Sequence, residues 1–340
     1  MSLKKEQLAK IRILVADNDH QMATVLMHLL KHMGFSKMEH VRNGEDAIRV
    51  LKTHQVDIVI TDWEMPHVDG IMLTRFLRCS DESPNRALPV VMLTARAERN
   101  DVEFSRDAGI TEFVVKPYTS KTLFNRIEQL VDNPRDFVIS PHFTGPTRRR
   151  KDDNYPNNRR SVQPKKISSI IGAVIDDGTP KLLPADFTLK KRIGLKKESI
   201  NALITPEVLH EAQQALETMK DESLHWIRDD IRVLEQTYND LAARPNVNLY
   251  DNMKVLLLSI KSRAGTFGYK NASDAAQTTY RFMRNNYVMS KSQHNEALLK
   301  FIQAIKVLLS QSVQGKDEAL TAPLLAQLEA MAAKFEQNQG

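Results

Sequence analysis

At 340 residues, 41% hydrophobic and 26% charged, the chain has room for two domains of ordinary size, each burying its own core. Its single cysteine, Cys79, excludes an intramolecular disulfide and points to a reducing compartment, the cytoplasm being the simplest. The formal net charge is +6, the run Ile11 to Ala16 is too short for a signal peptide, and no run has the length of a membrane span, Ala297 to Leu309 being broken by Lys300 and Lys306.

From the N-terminus, the first element is the apolar run Ile11 to Ala16, which leads into Asp17-Asn18-Asp19. A segment of helical spacing follows. Val56-Asp57-Ile58-Val59-Ile60-Thr61 then runs into Asp62 and on through Trp63-Glu64-Met65-Pro66-His67-Val68-Asp69-Gly70. Pro89 to Leu93 ends at Thr94-Ala95, and Phe113-Val114-Val115 ends at Lys116-Pro117. Short β-branched runs separated by helical segments predict alternating β and α, hence a doubly wound parallel sheet covered on both faces. Ligands of such sheets bind outside the carboxyl ends of the strands, so these residues are expected to meet in one crevice. A carboxylate at the end of an apolar strand, as Asp62 is, stands where chemistry is done.

The order and spacing resemble the receiver domain of two-component response regulators, over roughly residues 10 to 133 of a domain taken as 1–133. That resemblance implies a five-stranded parallel sheet, with Asp62 as the phosphoryl acceptor and Asp17 as an acid of a magnesium site. It also gives Glu64 a role through its backbone carbonyl on the Mg2+. Thr94 corresponds to the hydroxyl that bonds the phosphoryl oxygen, and small Ala95 leaves room for the group. Lys116 supplies a positive charge to the same oxygens, with Pro117 after a cis bond, and Phe113 is the aromatic switch that turns inward on activation. A carboxylate is a poor nucleophile toward a phosphoryl donor until cations neutralise the charge between them, so catalysis is mainly positioning and electrostatics. The acyl phosphate then carries nearly two negative charges, which Thr94 and Lys116 can sense.

One residue departs from the pattern. The family has two acids in succession after its first strand, whereas the second position here is Asn18. Asp19 follows, but on this register it opens the next helix and stands equally as its N-cap. With Asp17, Asn18, Asp62 and the Glu64 carbonyl as the metal set, one formal charge is missing, and phosphorylation is expected to need more magnesium than usual.

Between Arg148 and Lys197 the chain holds 14 Lys or Arg against five acids, +9, leaving the remainder slightly acidic. Arg148-Arg149-Arg150-Lys151, Asn154-Tyr155-Pro156-Asn157-Asn158 and Lys190-Lys191-Arg192 show little periodicity. Residues 134–200 therefore read as a basic, partly disordered linker with a short ordered piece at Ile167 to Ile175. A similar Gly-Pro-x-Arg-Arg-Arg tail, here Gly145 to Arg150, follows receivers in some bacterial regulators. Basic clusters also grip nucleic acid, which makes a nucleic-acid-binding regulator the alternative reading.

Residues 201–340 show helical periodicity without strand signals, over about 206–219, 222–243, 247–267, 271–287, 291–313 and 318–336, with breaks at Pro245 and Gly268. Such lengths and short connections describe an antiparallel helical bundle, making the chain α/β followed by all-α. In the third helix Met253, Leu256, Leu257, Ile260, Ala264 and Phe267 form one apolar arc, and Leu258 falls roughly 150° from its centre, facing outward. Leu258 to Tyr269 resembles the signature of histidine phosphotransfer domains, in which an exposed histidine precedes a lysine and small residues that let a receiver approach. Lys261, Ala264, Gly265 and Gly268 match, but Leu258 stands at the histidine position and has no nucleophilic nitrogen. The bundle is therefore read as a degenerate phosphotransfer domain retained for contact. His210, His225 and His294 lie on helices, where a histidine is ordinarily a surface or packing residue.

The resulting expectation is a signalling phosphoacceptor, not an enzyme acting on a separate substrate. Its cofactor is Mg2+. Its partners are a sensor histidine kinase or phosphotransfer protein upstream, and a downstream signalling protein or another receiver.

Overall fold

A computed structural model describes residues 3–96, 98–147, 165–166, 180–285, 287–289, 291–313 and 318–337. By contact, the chain divides into two compact units, Met1–Val115 with Thr119–Ala215, and Leu216–Gly340 with Lys116–Tyr118. The break thus falls after Ala215, not near residue 200, because the described segment from Lys181 onward associates with the first unit.

A short helix, α1 (Leu3–Leu8), precedes the sheet of the first unit. That sheet contains β1 (Arg12–Ala16), β2 (Lys37–Val41), β3 (Ile58–Asp62), β4 (Val90–Thr94) and β5 (Glu112–Val115), all parallel in the order β2-β1-β3-β4-β5. Between the strands run α2 (His20–Met33), α3 (Gly44–Thr53), α4 (Gly70–Cys79) and α5 (Arg99–Asp107), and α6 (Ser120–Asp132) follows β5. β4 is buried from end to end, and β1 and β3 are buried except for Arg12 at the start of one and Asp62 at the end of the other, as strands covered by helices on both faces are. β2 differs. Lys37 and Glu39 are exposed on this edge strand, so it lacks the apolar run that marks the others. Caps set where the helices begin: Asp19 accepts from the Gln21 and Met22 N–H groups, and Asn43, Asp69 and Thr119 do the same for α3, α4 and α6.

The segment expected to be a linker is in part built. β6 (Phe137–Ser140), β7 (Phe143–Pro146), β8 (Lys165–Lys166) and β9 (Lys181–Leu183) form a second sheet in the order β7-β6-β9-β8, and α7 (Thr188–Arg192) follows. Phe137 and Ile139 are buried, so this hairpin has an apolar face to cover. Arg78 joins it to the receiver-like sheet. Its guanidinium donates to the Gly109, Arg86 and Leu88 carbonyls at 2.9, 2.7 and 2.9 Å and lies 5.4 Å from the Phe137 ring centre. Burial pulls Arg78 down to about 9, with nearby Cys79 opposing, so it stays charged at neutral pH. The clusters at 148–151 and 154–158 and the piece at 167–175 lie outside the described residues. Lys190 and Arg192 are not a solvated basic cluster: they pair with Asp132 and Asp57.

After a 3-10 turn at Ile200–Ala202 comes α8 (Pro206–Glu217). The second unit then comprises α9 (Lys220–Ala243), α10 (Val247–Thr266), α11 (Lys270–Asn285), α12 (Ser292–Val313) and α13 (Glu318–Gln337). α10 packs against α9 and α11, and α12 packs against α9, α11 and α13.

Candidate functional site

The parallel sheet brings the carboxyl ends of β1, β3, β4 and β5 to one edge. Asp17 follows β1 and is buried, Asp62 ends β3 half-buried, Thr94 ends β4 buried, and Lys116 directly follows β5, also buried. Polar side chains in such numbers are expensive to bury, so each needs partners. Asp62 Oδ1 accepts from the Trp63 N–H at 2.6 Å, and Asp17 Oδ1 accepts from the Asp19 N–H at 2.9 Å. The Arg96 N–H donates to Thr94 Oγ1 at 3.1 Å. Asn18 is exposed, and Asp19 uses Oδ1 to cap α2, accepting from the Gln21 and Met22 N–H groups.

The turn after β3 fixes where Asp62 points. Gly70 N–H donates to the Trp63 carbonyl at 3.0 Å, closing the loop, and His67 takes a left-handed φ of 64° within it. A Cβ on Gly70 would lie 2.1 Å from the Asp62 carbonyl oxygen, so the backbone approach requires glycine. Lys116-Pro117 is cis. Phe113 is half-buried and packs against the hydrophobic core under the sheet.

Two side chains at this edge escaped the sequence reading. Arg96 donates through Nε to Glu64 Oε1 at 2.7 Å, with a second contact through Nη2, and its guanidinium lies 4.9 Å from the Trp63 ring centre. Trp63 in turn stacks on Phe104 at 5.9 Å. Glu64 therefore has a side-chain function besides any carbonyl role, and no periodicity marks it, because the bond joins two loops.

The donors offered to a cation are oxygens: the Asp17 and Asp62 carboxylates, the Asn18 amide and the Glu64 carbonyl. Among the described residues no group of three or more His, Cys, Asp or Glu gathers as a metal centre. This chemistry fits a hard divalent ion held by two formal charges, a weaker site than one with three acids. A cleft of about 830 Å3 opens at the opposite edge of the sheet, beside Val56, Asp57, Pro89 and Thr111. Those residues precede their strands or begin them, so the cleft is remote from the carboxyl edge.

In the second unit the structure corrects one expectation. Leu258 does not face outward: it is only 6% exposed. The helical-wheel argument assumed a single buried arc, but Leu258, Lys261 and Ser262, spaced at three and four residues, are buried as well. Burial pulls the Lys261 ammonium below its ordinary range, against the attraction of Asp274. Gly265 is crowded: a Cβ there would lie 2.9 Å from Ser273 Oγ. Gly268 has φ 83° and serves as a helix stop, its N–H donating to the Gly265 carbonyl at 3.3 Å. His210 and His225 are exposed, whereas His294 is buried and its Nδ1 accepts from the Val288 N–H at 3.0 Å.

Comparison with known proteins gives the first unit its relatives. Residues 13–128 match the family model described as the response regulator receiver domain. Chemotaxis protein CheY-3 of Vibrio cholerae serotype O1 is 33% identical over 122 residues, covering 36% of this chain and 92% of that protein. CheY of Pseudomonas aeruginosa is also 33% identical over 122 residues, covering 36% of this chain and 97% of its own length. Among solved structures, the receiver domain of a sensor histidine kinase from Pseudomonas aeruginosa PAO1, with magnesium coordinated in its active-site cleft, is 28% identical. That likeness covers 35% of this chain and 94% of the other, with a TM-score of 0.32.

Proposed function

Since this chain belongs to the response regulator receiver family through residues 13–128, we propose that it is a two-component response regulator that accepts a phosphoryl group on Asp62. One observation carries this reading: Asp62 ends β3 on the same sheet edge as Asp17, Thr94 and Lys116, with Oδ1 fixed by the Trp63 N–H at 2.6 Å. A carboxylate oxygen forms a bond to phosphorus as the donor's bond to phosphorus breaks, and the donor group departs with that electron pair. Asp17, Asn18, Asp62 and the Glu64 carbonyl would hold Mg2+. When bound, the ion screens the repulsion between carboxylate and anionic donor. The Thr94 hydroxyl leaves the Arg96 N–H to reach the new phosphoryl oxygens, and Lys116 neutralises them. Phe113, packed on the core only in part, follows Thr94 inward. Two populations of the receiver face thus interconvert, biased by one charged group.

The helices from α9 onward are an antiparallel bundle that resembles a phosphotransfer domain without its nucleophile. Leu258 occupies the histidine position, is buried and has no nucleophilic nitrogen, which speaks against relay; the contact role falls to the exposed side chains of the bundle. The upstream partner is a sensor histidine kinase or phosphotransfer protein, and the output is binding to a downstream signalling protein or another receiver. The nucleic-acid reading is weaker in the described residues, since Lys190 and Arg192 are engaged by carboxylates.

The test is phosphate uptake from acetyl phosphate across a magnesium titration. The proposal expects uptake that rises with Mg2+ and stops on chelation. Uptake that ignores the metal, or none at any concentration, overturns it.

A further inference from the structure

The segment between the second sheet and α8 runs along α6 in antiparallel register. At the carboxyl end of α6, Asp132 receives the Lys190 ammonium at 2.8 Å, the Ser199 hydroxyl at 2.7 Å and the Ile200 N–H at 2.9 Å. One turn earlier, Glu128 accepts from Asn201 Nδ2 at 2.6 Å. At the amino end the Ser120 N–H donates to Gln213 Oε1 at 3.0 Å, and its hydroxyl donates to the Leu209 carbonyl at 2.8 Å. Partners of residues 132, 128 and 120 thus lie at 190–200, 201 and 209–213, in opposite order. Ile193, Leu195, Ile200, Ile204 and Ala212 along the same segment are buried. The contacts combine a carboxylate clasp, an apolar seam and a helix cap, so this is a strap and not a tether.

The last anchor sits where the proposed switch acts. Ser120 is four residues after Lys116, with Thr119 as the intervening N-cap of α6. A displacement of Lys116 toward a phosphoryl group has only three residues in which to be absorbed before it reaches Ser120. The two bonds at Ser120 already have near-ideal lengths, so displacement from this geometry can only weaken them.

From this we infer that residues 188–215 are a strap holding α6 in the unphosphorylated receiver, released at its α8 end when Asp62 is phosphorylated. The inference rests on Asp62 being the phosphoacceptor. Gln213 and Ser120 are positioning residues: they touch no reacting atom and act through the loop that carries Lys116. Coupling is reciprocal, so a strap that phosphorylation loosens also resists phosphorylation while it is docked.

Hydrogen exchange in the full chain tests this, with beryllium fluoride plus Mg2+ as the phosphoryl mimic and 19F NMR to report its binding. Wild-type amides at 206–215 are expected to exchange faster once the mimic binds, roughly fivefold for one lost hydrogen bond and roughly thirtyfold for both. Asp62→Asn should show no response. Ser120→Ala with Gln213→Ala should exchange fast at rest and gain nothing further, whereas Gln213→Glu, which keeps an acceptor oxygen, should retain the resting protection. Mimic bound with exchange at 206–215 unchanged or slowed overturns the strap and leaves the phosphoacceptor reading standing. No bound mimic overturns that reading and the strap with it.

Discussion

The carboxyl edge of the sheet and the Leu258–Lys261–Gly265 stripe of α10 both carry a family-like pattern, yet only the first offers a nucleophile. Asp62 is half-buried, with one oxygen held by a backbone N–H and a glycine-dependent turn behind it. Leu258 is 6% exposed and carries no polar atom in its side chain. A reactive group needs both access and preorganised donors, and burial of an apolar side chain is what remains when that demand is lifted. The difference teaches that a motif can keep its lysine and glycines for packing: Lys261 and Gly265 are enclosed, and Gly268 ends a helix.

Several changes break or sharpen that contrast. The largest effect is expected from Arg78→Ala, which leaves the Gly109, Arg86 and Leu88 carbonyls without their buried donor. Denaturant unfolding should show a loss of about 3–5 kcal/mol. A neutral result would mean that the sheet edge does not depend on this remote support. Next is Gly70→Ala, whose Cβ collides with the Asp62 carbonyl. It should cost about 1–3 kcal/mol and depress phosphate uptake more than stability alone explains. Wild-type uptake in a folded Gly70→Ala protein would show that the turn does not aim Asp62.

Asn18→Asp restores the missing charge. Half-maximal phosphorylation should then require roughly tenfold less magnesium, and an unchanged requirement would remove Asn18 from the metal set. The smallest effect concerns Asp132. Burial works to raise its carboxyl, but hydrogen bonds from Lys190, Ser199 and the Ile200 N–H, with the Lys190 charge, outweigh this and hold it below the ordinary range. A carboxyl depressed in the folded state stabilises above its ordinary value of about 3.9, and that contribution is lost as pH falls through the depressed value. Exchange protection at 199–204 should therefore be flat near neutrality and decline in acid, the decline being smaller in Asp132→Asn.

The apolar runs of β1, β3, β4 and β5 and the residues at their ends could be read directly because buried parallel strands carry their own signal. β2 could not: Lys37 and Glu39 face solvent on an edge strand, and only the family likeness implied a fifth strand. Asp19 was ambiguous in the chain and resolves as a cap once its bonds to Gln21 and Met22 are seen. The Arg96–Glu64 contact joins residues 32 apart through side chains alone, a separation that periodicity does not encode. The second sheet was hidden for a related reason. β6, β7 and β9 are three or four residues long, and the β6–β7 hairpin is completed by β9, more than 40 residues beyond β6, so composition dominated there and suggested a linker. Leu258 was misplaced because a wheel drawn from one helix cannot know how many of its faces are covered.

The central claim is that phosphate enters at Asp62 and goes no further along the chain. Mapping the phosphate taken up from acetyl phosphate with Mg2+, by peptide mass in wild type, Asp62→Asn and Leu258→His, tests it most directly. The account predicts one acyl phosphate on Asp62 in wild type and in Leu258→His, and none in Asp62→Asn. Phosphate retained in Asp62→Asn, or found on a histidine of the second unit, would contradict it.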